Sequence, residues 1–419
     1  MKTIYAEIIS IGDELLIGQV VNTNASWMAA ELNKFGITVK QVSTIGDDAA
    51  AIRSTLDAAF ERADVVLMTG GLGPTKDDIT KSVLCDYFHT HLIEDPAVHQ
   101  HVLQLYKDRP EVLNRLTATQ WLVPADAMIL PNRVGSAPIM VFEQSEVRVQ
   151  KSERGVLVSL PGVPHEMQIA MTEQVLPYLH KKIGEMQIIH RTIVLFGIPE
   201  STLALRIASW EDALPPTMRL AYLPKQGVVR LRLSSYGDAT AAQIDQQISA
   251  LLPLVQDYLI ATDDLEPEQI VGAILSAKHM TIATAESCTG GRLAARLNEH
   301  AGSSVFYMGS ILAYDNSVKQ QVLGVSINTL ATDGAVSEAC VRQMAEGVKR
   351  LLSTDVAIAT SGIAGPSGGT PDKPVGTVWI AWATPAGTMA ECRHFRGDRS
   401  QITASATTYA LARLIQYIR

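Results

Sequence analysis

The last third of the chain carries a serine placed to act as a nucleophile. Ser287 lies in AESCTGG, residues 285–291, between an apolar run and a helical pattern. A strand-to-helix elbow of this kind exposes a hydroxyl, with helix N-terminal N–H groups facing a developing oxyanion. The same residues are typical of a helix-capping serine followed by glycines for packing. Cys288 is a competing nucleophile, because thiolates are intrinsically more reactive.

Lys319 is the candidate base for that nucleophile. It lies in DNSVK, where Asn316 as the N-cap would put Lys319 at the third helical position. The helix dipole and partial burial both disfavour the ammonium form there, so the amine could take a proton from a serine. A solvated surface lysine is the alternative.

The glycine-rich residues 359–369 offer a third feature, a loop whose backbone N–H groups could bind an anion. Together with Ser287 and Lys319, this loop indicates a hydrolase for a phosphorylated amide or ester.

The first part of the chain has two loops suited to a phosphate and a metal ion. GDE at residues 12–14 and GGLGPTKDD at residues 70–78 both follow apolar, strand-like runs. Glycines let backbone N–H groups approach an anion closely. Carboxylates beside a phosphate indicate a bridging divalent cation, which selects Asp13, Glu14, Asp77 and Asp78. The alternative is that Asp77 and Asp78 cap a helix while the glycines form a tight turn.

The elements that position these loops alternate between strand and helix. Strand patterns at residues 4–11, 38–42 and 65–69 are separated by helical periodicities, which predicts a parallel sheet with helices on both faces. Ligands then bind beyond the carboxyl ends of the strands. The predicted class is α/β, with doubly wound, mostly parallel sheets at both ends and a small α+β module between them. The predicted boundaries are 1–170, 171–258, a linker at 259–268, and 269–419.

Composition limits the function classes. A chain of 419 residues predicts two or three domains. The formal charge of −8 gives no global basic footprint for nucleic acid or an anionic membrane. The four cysteines are widely spaced and no secretory leader precedes them, which favours a reduced cytoplasm. Apolar runs fall short of the roughly 18 residues that a membrane helix needs.

Eight motifs resemble one known family over essentially the whole chain. GDELLIGQVVNTN, TGGLGPTKDDIT, NRVGSAP and LPGVPHEM resemble the amino-terminal domain of the competence/damage-inducible protein CinA family, which is related to molybdopterin-binding proteins. AESCTGG, AYDNSVK, TSGIAGPSGG and GTVWIAW resemble the family's carboxy-terminal nicotinamide mononucleotide deamidase domain. The middle module resembles its KH-like domain, but it has balanced charge and no GxxG loop to clamp a nucleic-acid backbone.

For the last domain, the resemblance implies deamidation of nicotinamide mononucleotide to nicotinic acid mononucleotide and ammonia. Ser287 would attack the carboxamide while Tyr314 and Lys319 move the proton, with no metal or organic cofactor. The implied substrate-binding residues are Thr289, Gly290, Ser361, Gly362 and Arg399.

For the first domain, the resemblance implies cleavage of ADP-ribose to AMP and ribose 5-phosphate with Mg²⁺, Mn²⁺ or Co²⁺. The metal would bind Asp13, Glu14, Asp77 and Asp78. The implied substrate-binding residues are Asn24, Gly70, Gly71, Thr75, Lys76, Asn132 and Gly162. Lys76 stands where the family commonly has a histidine.

Two other functions are compatible with the sequence. One is molybdopterin binding or adenylylation by the first domain, from its kinship. The other is a non-catalytic partner of DNA-uptake proteins, as the family's name suggests, although the acidic charge argues against direct nucleic-acid binding. The resemblance also suggests a homodimer.

Overall fold

The computed structural model describes residues 4–114, 117–143, 155–183, 188–225, 227–235 and 240–419. The chain divides into two compact units, with the division between Ile189 and His190. Each unit has its own sheets and its own hydrophobic core.

The first unit contains eight strands and seven α-helices among its described residues. The strands are β1 (Tyr5–Ile11), β2 (Thr38–Ile45), β3 (Val65–Thr69), β4 (Leu92–Glu94), β5 (Leu122–Pro124), β6 (Met128–Leu130), β7 (Ile139–Glu143) and β8 (Val156–Leu160). The helices are α1 (Asp13–Leu16), α2 (Thr23–Lys34), α3 (Ala49–Arg62), α4 (Thr80–Phe88), α5 (Pro96–Leu105), α6 (Pro164–Ala170) and α7 (Leu176–Ile183).

The main sheet of this unit has the order β2-β1-β3-β8-β7-β6. Strands β2, β1, β3 and β8 are parallel, and β7 and β6 join antiparallel. Helices α2, α6 and α7 pack on one face and α3 and α4 on the other, so the strands are apolar on both sides. Buried Glu7 on β1 is compatible with this core because Arg62 of α3 donates to both of its carboxylate oxygens.

Four parallel strands of this sheet end at one edge: the three that the sequence predicted and β8. The GDE loop follows β1 and the GGLGPTKDD loop follows β3. A Cβ added at Gly70, whose φ is +112°, would lie 2.2 Å from the carbonyl oxygen of Ile11. The two loops therefore approach each other closely only because position 70 has no side chain.

Two local predictions differ from the structure. The helical pattern after the GDE loop predicts Thr23 or Asn24 as the cap of α2, but the observed cap is Asn22, whose side chain accepts from the N–H of Ala25. The helical stretch that begins at Pro164 continues through a π-helical turn, Met171–Val175, and α7, past the predicted boundary at residue 170.

The second unit begins with a small four-stranded sheet. Its elements are β9 (Ile189–Phe196), α8 (Glu200–Asp212), β10 (Met218–Lys225), β11 (Val228–Ser235), α9 (Ala241–Val255) and β12 (Leu259–Ala261), in the strand order β10-β11-β9-β12. Together they form the predicted small α+β module.

The rest of the second unit is built on a five-stranded sheet of order β14-β13-β15-β16-β17. Its strands are β13 (Ile282–Glu286), β14 (Tyr307–Leu312), β15 (Val356–Gly362), β16 (Thr377–Thr384) and β17 (Gly387–His394). Its helices are α10 (Pro267–Ala277), α11 (Arg292–Asn298), α12 (Asn316–Gln321), α13 (Ile327–Thr332), α14 (Glu338–Leu351) and α15 (Arg399–Ile418).

Strands β14, β13 and β15 are parallel, and β16 and β17 are antiparallel. Helices α10, α11 and α15 cover one face of the sheet and α14 covers the other. The α/β class with mostly parallel sheets around a small module is therefore confirmed.

The small sheet and the five-stranded sheet share one hydrophobic core. Val194, Phe196, Val228 and Ile260 of the small sheet belong to the same buried cluster as α10 and α15. The predicted linker at 259–268 accordingly contains β12 and the start of α10. No helix within the described ranges is long and apolar enough to cross a membrane.

Candidate active sites

The site of the second unit forms where three parallel strands end. Ser287 follows β13, and its N–H donates to the carbonyl of Thr360 on β15 at 3.0 Å. Lys319 lies on α12, which follows β14. Because these strands are adjacent and parallel, residues far apart in the sequence meet at one edge of the sheet.

A buried carboxylate organises the elbow around Ser287. Glu286 is fully buried and accepts from the backbone N–H groups of Gly291 (3.0 Å), Leu293 (3.1 Å) and Ala294 (2.8 Å). The prediction that the first N–H groups of α11 face an oxyanion is therefore wrong for these three, since Glu286 occupies them. The N–H of Thr289 keeps no acceptor among the described residues.

Ser287 and Lys319 are in contact. The Nζ of Lys319 lies 3.3 Å from the Oγ of Ser287 and donates to the carbonyls of Ala313 (2.8 Å) and Tyr314 (2.9 Å). Lys319 is 1% exposed, and this burial lowers the pKa of its ammonium group. The predicted serine–lysine pair is therefore assembled with the amine biased toward its neutral form.

Burial, one of the two causes that the sequence predicted, accounts for that bias, whereas the helix position of Lys319 differs from the predicted one. Asp315, not Asn316, caps α12 by accepting from the N–H of Ser317 at 2.8 Å. Lys319 is thus the fourth residue of the helix.

Cys288 is the weaker of the two candidate nucleophiles in this structure. Its side chain is buried, and burial raises the pKa of the thiol to about 12. A thiol with that pKa carries almost no thiolate at neutral pH. The geometry therefore favours Ser287.

A cavity of about 500 Å³ adjoins the elbow. Its lining consists of Cys288, Thr289, Gly290, Arg292, Arg399, Ser400 and Thr403. Two of the predicted binding residues, Gly290 and Arg399, are exposed there. Arg399 donates to the carbonyl of Gly365 at 2.9 Å and to the hydroxyl of Tyr314 at 3.4 Å.

Other predicted residues are placed differently. Thr289 lines the cavity, but its buried hydroxyl bonds to Glu286 and Thr360. Ser361 donates to the carbonyl of Ala335, and neither it nor Gly362 lines this cavity. The hydroxyls of Thr289 and Ser361 therefore already donate to acceptors within the protein. The hydroxyl of Tyr314 faces Arg399, and within the described ranges only its backbone carbonyl contacts Lys319.

The site of the first unit is a cavity of about 360 Å³ at the carboxyl ends of its parallel strands. Seven of the predicted residues line it: Glu14, Asn24, Gly70, Gly71, Asp77, Asp78 and Gly162. Four others, Asp13, Thr75, Lys76 and Asn132, do not.

Contacts within the loops account for the positions of Thr75 and Asn132. Asp78 accepts from the N–H groups of Gly73 (2.8 Å) and Thr75 (2.9 Å), so it holds its own loop together. Asn132 is saturated by bonds to Ala137, Glu166 and the following backbone N–H groups. No three ligand atoms of Asp13, Glu14, Asp77 and Asp78 lie within 4.8 Å of one another in the described structure.

Asp47, which follows β2, adds a carboxylate to this cavity. It accepts from the N–H of Asp13 at 3.2 Å, while Asp13 accepts from the N–H of Asp47 at 3.3 Å. Burial raises the pKa of Asp47, and the negative charges of Asp13, Glu14 and Asp77 raise it further. A divalent cation would offset these charges, but the side chains are not gathered as ligands in this structure: no three of Asp13, Glu14, Asp47, Asp77 and Asp78 bring ligand atoms within 4.8 Å of one another among the described residues.

Asn24, a residue of the same cavity lining, has an amide oxygen that is unpaired among the described residues. Its Nδ2 donates to the carbonyl of Gly162 at 2.8 Å and to the hydroxyl of Thr69 at 3.3 Å. Its Oδ1 is buried and has no partner in the described structure. An unpaired buried acceptor is unfavourable, so this atom is suited to accept a hydrogen bond from a ligand or water.

Sequence comparisons now identify the family. Three family models match: "Probable molybdopterin binding domain" over residues 7–181, "Damage-inducible protein CinA KH domain" over 190–260 and "CinA C-terminal domain" over 264–418. A CinA-like protein of Cytophaga hutchinsonii is 42% identical over 422 residues, covering 99% of each chain. The chain belongs to the CinA-like protein family.

Another CinA-like protein, from Salinibacter ruber, is 42% identical and covers 94% of this chain and 95% of its own. Among solved structures, the competence damage-inducible protein A of Klebsiella pneumoniae is 41% identical. It covers 36% of this chain and 96% of its own, with a TM-score of 0.35.

In this CinA-like chain, sequence reasoning missed two acidic residues of the sites. Glu286 is the last residue of the mostly apolar strand β13. A buried acid at that position needs hydrogen-bond donors nearby, and this requirement could have predicted its contacts with the following N–H groups. Asp47 follows β2 in the sequence IGDD just as Asp13 follows β1 in IGDE. That parallel could have placed Asp47 at the same sheet edge.

Proposed function

We propose that the second unit deamidates nicotinamide mononucleotide to nicotinic acid mononucleotide and ammonia. The observation that carries this proposal is the 3.3 Å contact between Ser287 Oγ and the buried Nζ of Lys319. A neutral amine beside a hydroxyl is the arrangement that activates a serine for attack on an amide.

In the acylation step, Lys319 accepts the hydroxyl proton as Ser287 Oγ bonds to the carboxamide carbon. The oxyanion that develops is stabilised by the N–H of Thr289, the donor that Glu286 leaves free at the elbow. The C–N bond then breaks, and the proton passes from Lys319 to the departing nitrogen, which leaves as ammonia.

In the deacylation step, water adds to the ester carbonyl of the acyl-enzyme. Lys319 accepts a proton from the water and returns it to Ser287 Oγ as the ester bond breaks. The products are nicotinic acid mononucleotide and the free enzyme, so atoms and charge balance without a cofactor.

For the first unit, we propose metal-dependent hydrolysis of ADP-ribose to AMP and ribose 5-phosphate. Glu14, Asp47 and Asp77 line the cavity and would hold the metal ion, while the loop at Gly70 and Gly71 receives a phosphate. When bound, the ion neutralises phosphate oxygens and lowers the pKa of a water molecule. The unpaired Oδ1 of Asn24 would accept from a substrate hydroxyl.

The deamidase proposal is tested by comparing Ser287→Ala with Cys288→Ala. We expect Ser287→Ala to lower ammonia release by about a thousandfold or more, because the nucleophile is removed. Cys288→Ala should stay within about tenfold of the wild type, because its buried thiol is protonated.

The assay measures ammonia and nicotinic acid mononucleotide together, and melting temperatures control for folding. If Ser287→Ala were active and Cys288→Ala inactive, the nucleophile would be Cys288 and not Ser287. A wild-type protein that leaves nicotinamide mononucleotide unchanged would overturn the activity itself.

The first site is tested with ADP-ribose in the presence of Mg²⁺, Mn²⁺ or Co²⁺. We expect AMP formation that stops on chelation and falls at least about tenfold in Asp47→Asn, since one metal-facing charge is lost. ADP-ribose that remains intact with all three metals would contradict the proposal.

The match to a molybdopterin binding domain favours a second candidate for the first unit. Titration of molybdopterin and ADP-ribose against the same protein separates the two. Tight pterin binding without ADP-ribose cleavage would select the pterin function.

A further inference from the structure

The cavity next to the elbow, whose lining begins at Cys288 and does not include Ser287 itself, contains cationic but no acidic side chains. Two arginines, Arg292 and Arg399, line it, and no Asp or Glu belongs to its lining. Its volume of about 500 Å³ is in the range of small-molecule sites. A cavity with two positive charges and no negative one is suited to an anionic ligand.

Arg292 is the arginine of this lining whose side chain makes no hydrogen bond or ion pair within the described residues. It is exposed, and its guanidinium donates to no acceptor in the described part of the chain. Arg296, one turn further along α11, is instead bound to Glu268 and to the hydroxyl of Thr408 at 2.7 Å. The contrast leaves Arg292 available to a ligand, and none of the family motifs assigns it a role.

The N-terminus of α15 adds backbone N–H donors, and the carboxylate of Asp398 caps this end by accepting from the N–H of Gln401 at 2.9 Å. This helix has 20 residues and begins at Arg399 and Ser400, both in the cavity lining. The backbone N–H groups of these two residues have no acceptor among the described residues. The positive end of the helix dipole therefore lies at the same wall as the two arginines.

We propose that Arg292 acts with Arg399 and the first turn of α15 to bind the phosphate group of the substrate. This inference rests on the proposed deamidase function and names the residue that sets its specificity. A phosphomonoester carries close to two negative charges and three acceptor oxygens, which match two guanidinium groups and helix N–H donors. Arg292 thus makes the site selective for a nucleotide over the corresponding nucleoside.

The test compares nicotinamide mononucleotide with nicotinamide riboside, which lacks the phosphate. In Arg292→Ala we expect the KM for the mononucleotide to rise about tenfold or more, because a charge-assisted contact is lost. Values of kcat for the mononucleotide and of kcat/KM for the riboside should change less than about threefold. Arg292→Lys should recover part of the loss.

Arg350→Ala is the matched control, since Arg350 is also exposed, lies in the same unit and does not line the cavity. It should leave every parameter at the wild-type value. Equal KM values for the mononucleotide in Arg292→Ala and the wild type would overturn the inference while leaving the deamidase intact.

Binding of ribose 5-phosphate, measured by calorimetry, keeps the inference testable if no deamidation occurs. We expect Arg292→Ala to weaken this binding about tenfold or more relative to the wild type and Arg350→Ala. Unchanged binding in Arg292→Ala would overturn the phosphate site, whereas absent deamidation with the expected loss of binding would overturn only the activity.

Discussion

The contacts of the Lys319 amine determine how it can act. Two carbonyls, of Ala313 and Tyr314, accept from its nitrogen, and the hydroxyl of Ser287 occupies the third position. A neutral amine has two N–H bonds and one lone pair, so the carbonyls take both donors and the lone pair faces the hydroxyl. The same geometry would satisfy an ammonium ion, and burial is what shifts the balance toward the amine.

This arrangement predicts the direction of the pH dependence. Only the neutral amine can accept the serine proton, so kcat/KM should rise with pH through the pKa of Lys319. Since burial lowers that pKa, the rise should lie below 10.5, the ordinary value. Lys319→Arg should lose activity at every pH, because arginine stays protonated.

The measurement is the pH profile of kcat/KM for deamidation, with circular dichroism at each pH to confirm folding. A flat profile from acid to alkaline pH, or an active Lys319→Arg variant, would contradict the assignment of Lys319 as the base.

At the scale of elements, one carboxylate joins a strand to a helix. Glu286 closes β13 and receives three N–H groups from residues 291–294, so the strand end caps α11 in place of a residue next to the helix. Its fourth donor is the hydroxyl of Thr289 at 2.7 Å. Ser287, one residue after Glu286, is thereby held between two fixed elements.

Glu286→Gln should therefore affect both stability and rate. The glutamine has the same shape but lacks the charge, and its NH₂ group faces backbone donors, so we expect about 2 to 3 kcal/mol less free energy of unfolding. Because the elbow loosens, kcat should fall more than KM changes. Chemical denaturation and steady-state kinetics measure the two effects.

Glu346→Gln supplies the control, since Glu346 is an exposed acid on α14. It should match the wild type in both assays. A Glu286→Gln variant with wild-type kcat would show that the capping of α11 by Glu286 does not contribute to catalysis.

Much of each site could be predicted from elements alone. Apolar runs followed by glycine-rich loops located the ends of β1, β3, β13 and β15, and parallel strands bring such ends to one edge. Side-chain direction could not be predicted, because it depends on neighbours distant in the sequence. Thr289 and Ser361 turned inward for that reason, toward Glu286 and Ala335 respectively.

At the scale of the second unit, ion pairs accompany the shared core. Arg230 on β11 is 8% exposed and contacts Asp264 at 3.0 Å and Glu266 at 2.9 Å. Both acids lie in the stretch that composition identified as a linker. The acidic residues and proline of this stretch are typical of a solvent-exposed linker. Its packing against the rest of the unit depends on the ion pairs with Arg230, which is distant in the sequence.

Arg230→Ala should therefore destabilise the second unit as a whole. The substitution removes the arginine that pairs with Asp264, leaves Glu266 with Lys225 at 3.2 Å, and removes packing at the junction, so we expect a loss of about 1 to 3 kcal/mol. Calorimetry is the measurement, with Arg219→Ala on the neighbouring strand β10 as a comparison for a more exposed arginine.

The expected result is a lower melting temperature for the transition that includes both the small sheet and the five-stranded sheet. Separate melting of the small sheet, with the remainder unchanged, would show that the junction does not couple them.

The core shared by the two sheets of the second unit also limits how the gene can be divided into separate domains during evolution. Phe196 of β9 meets Tyr409 of α15 edge to face, with ring centroids 5.2 Å apart. A fission that released the last domain as an independent polypeptide would uncover Tyr409 and its apolar neighbours. Polar replacements on the outer side of α10 and α15 would have to accompany such a split, so domain loss and surface change should evolve together.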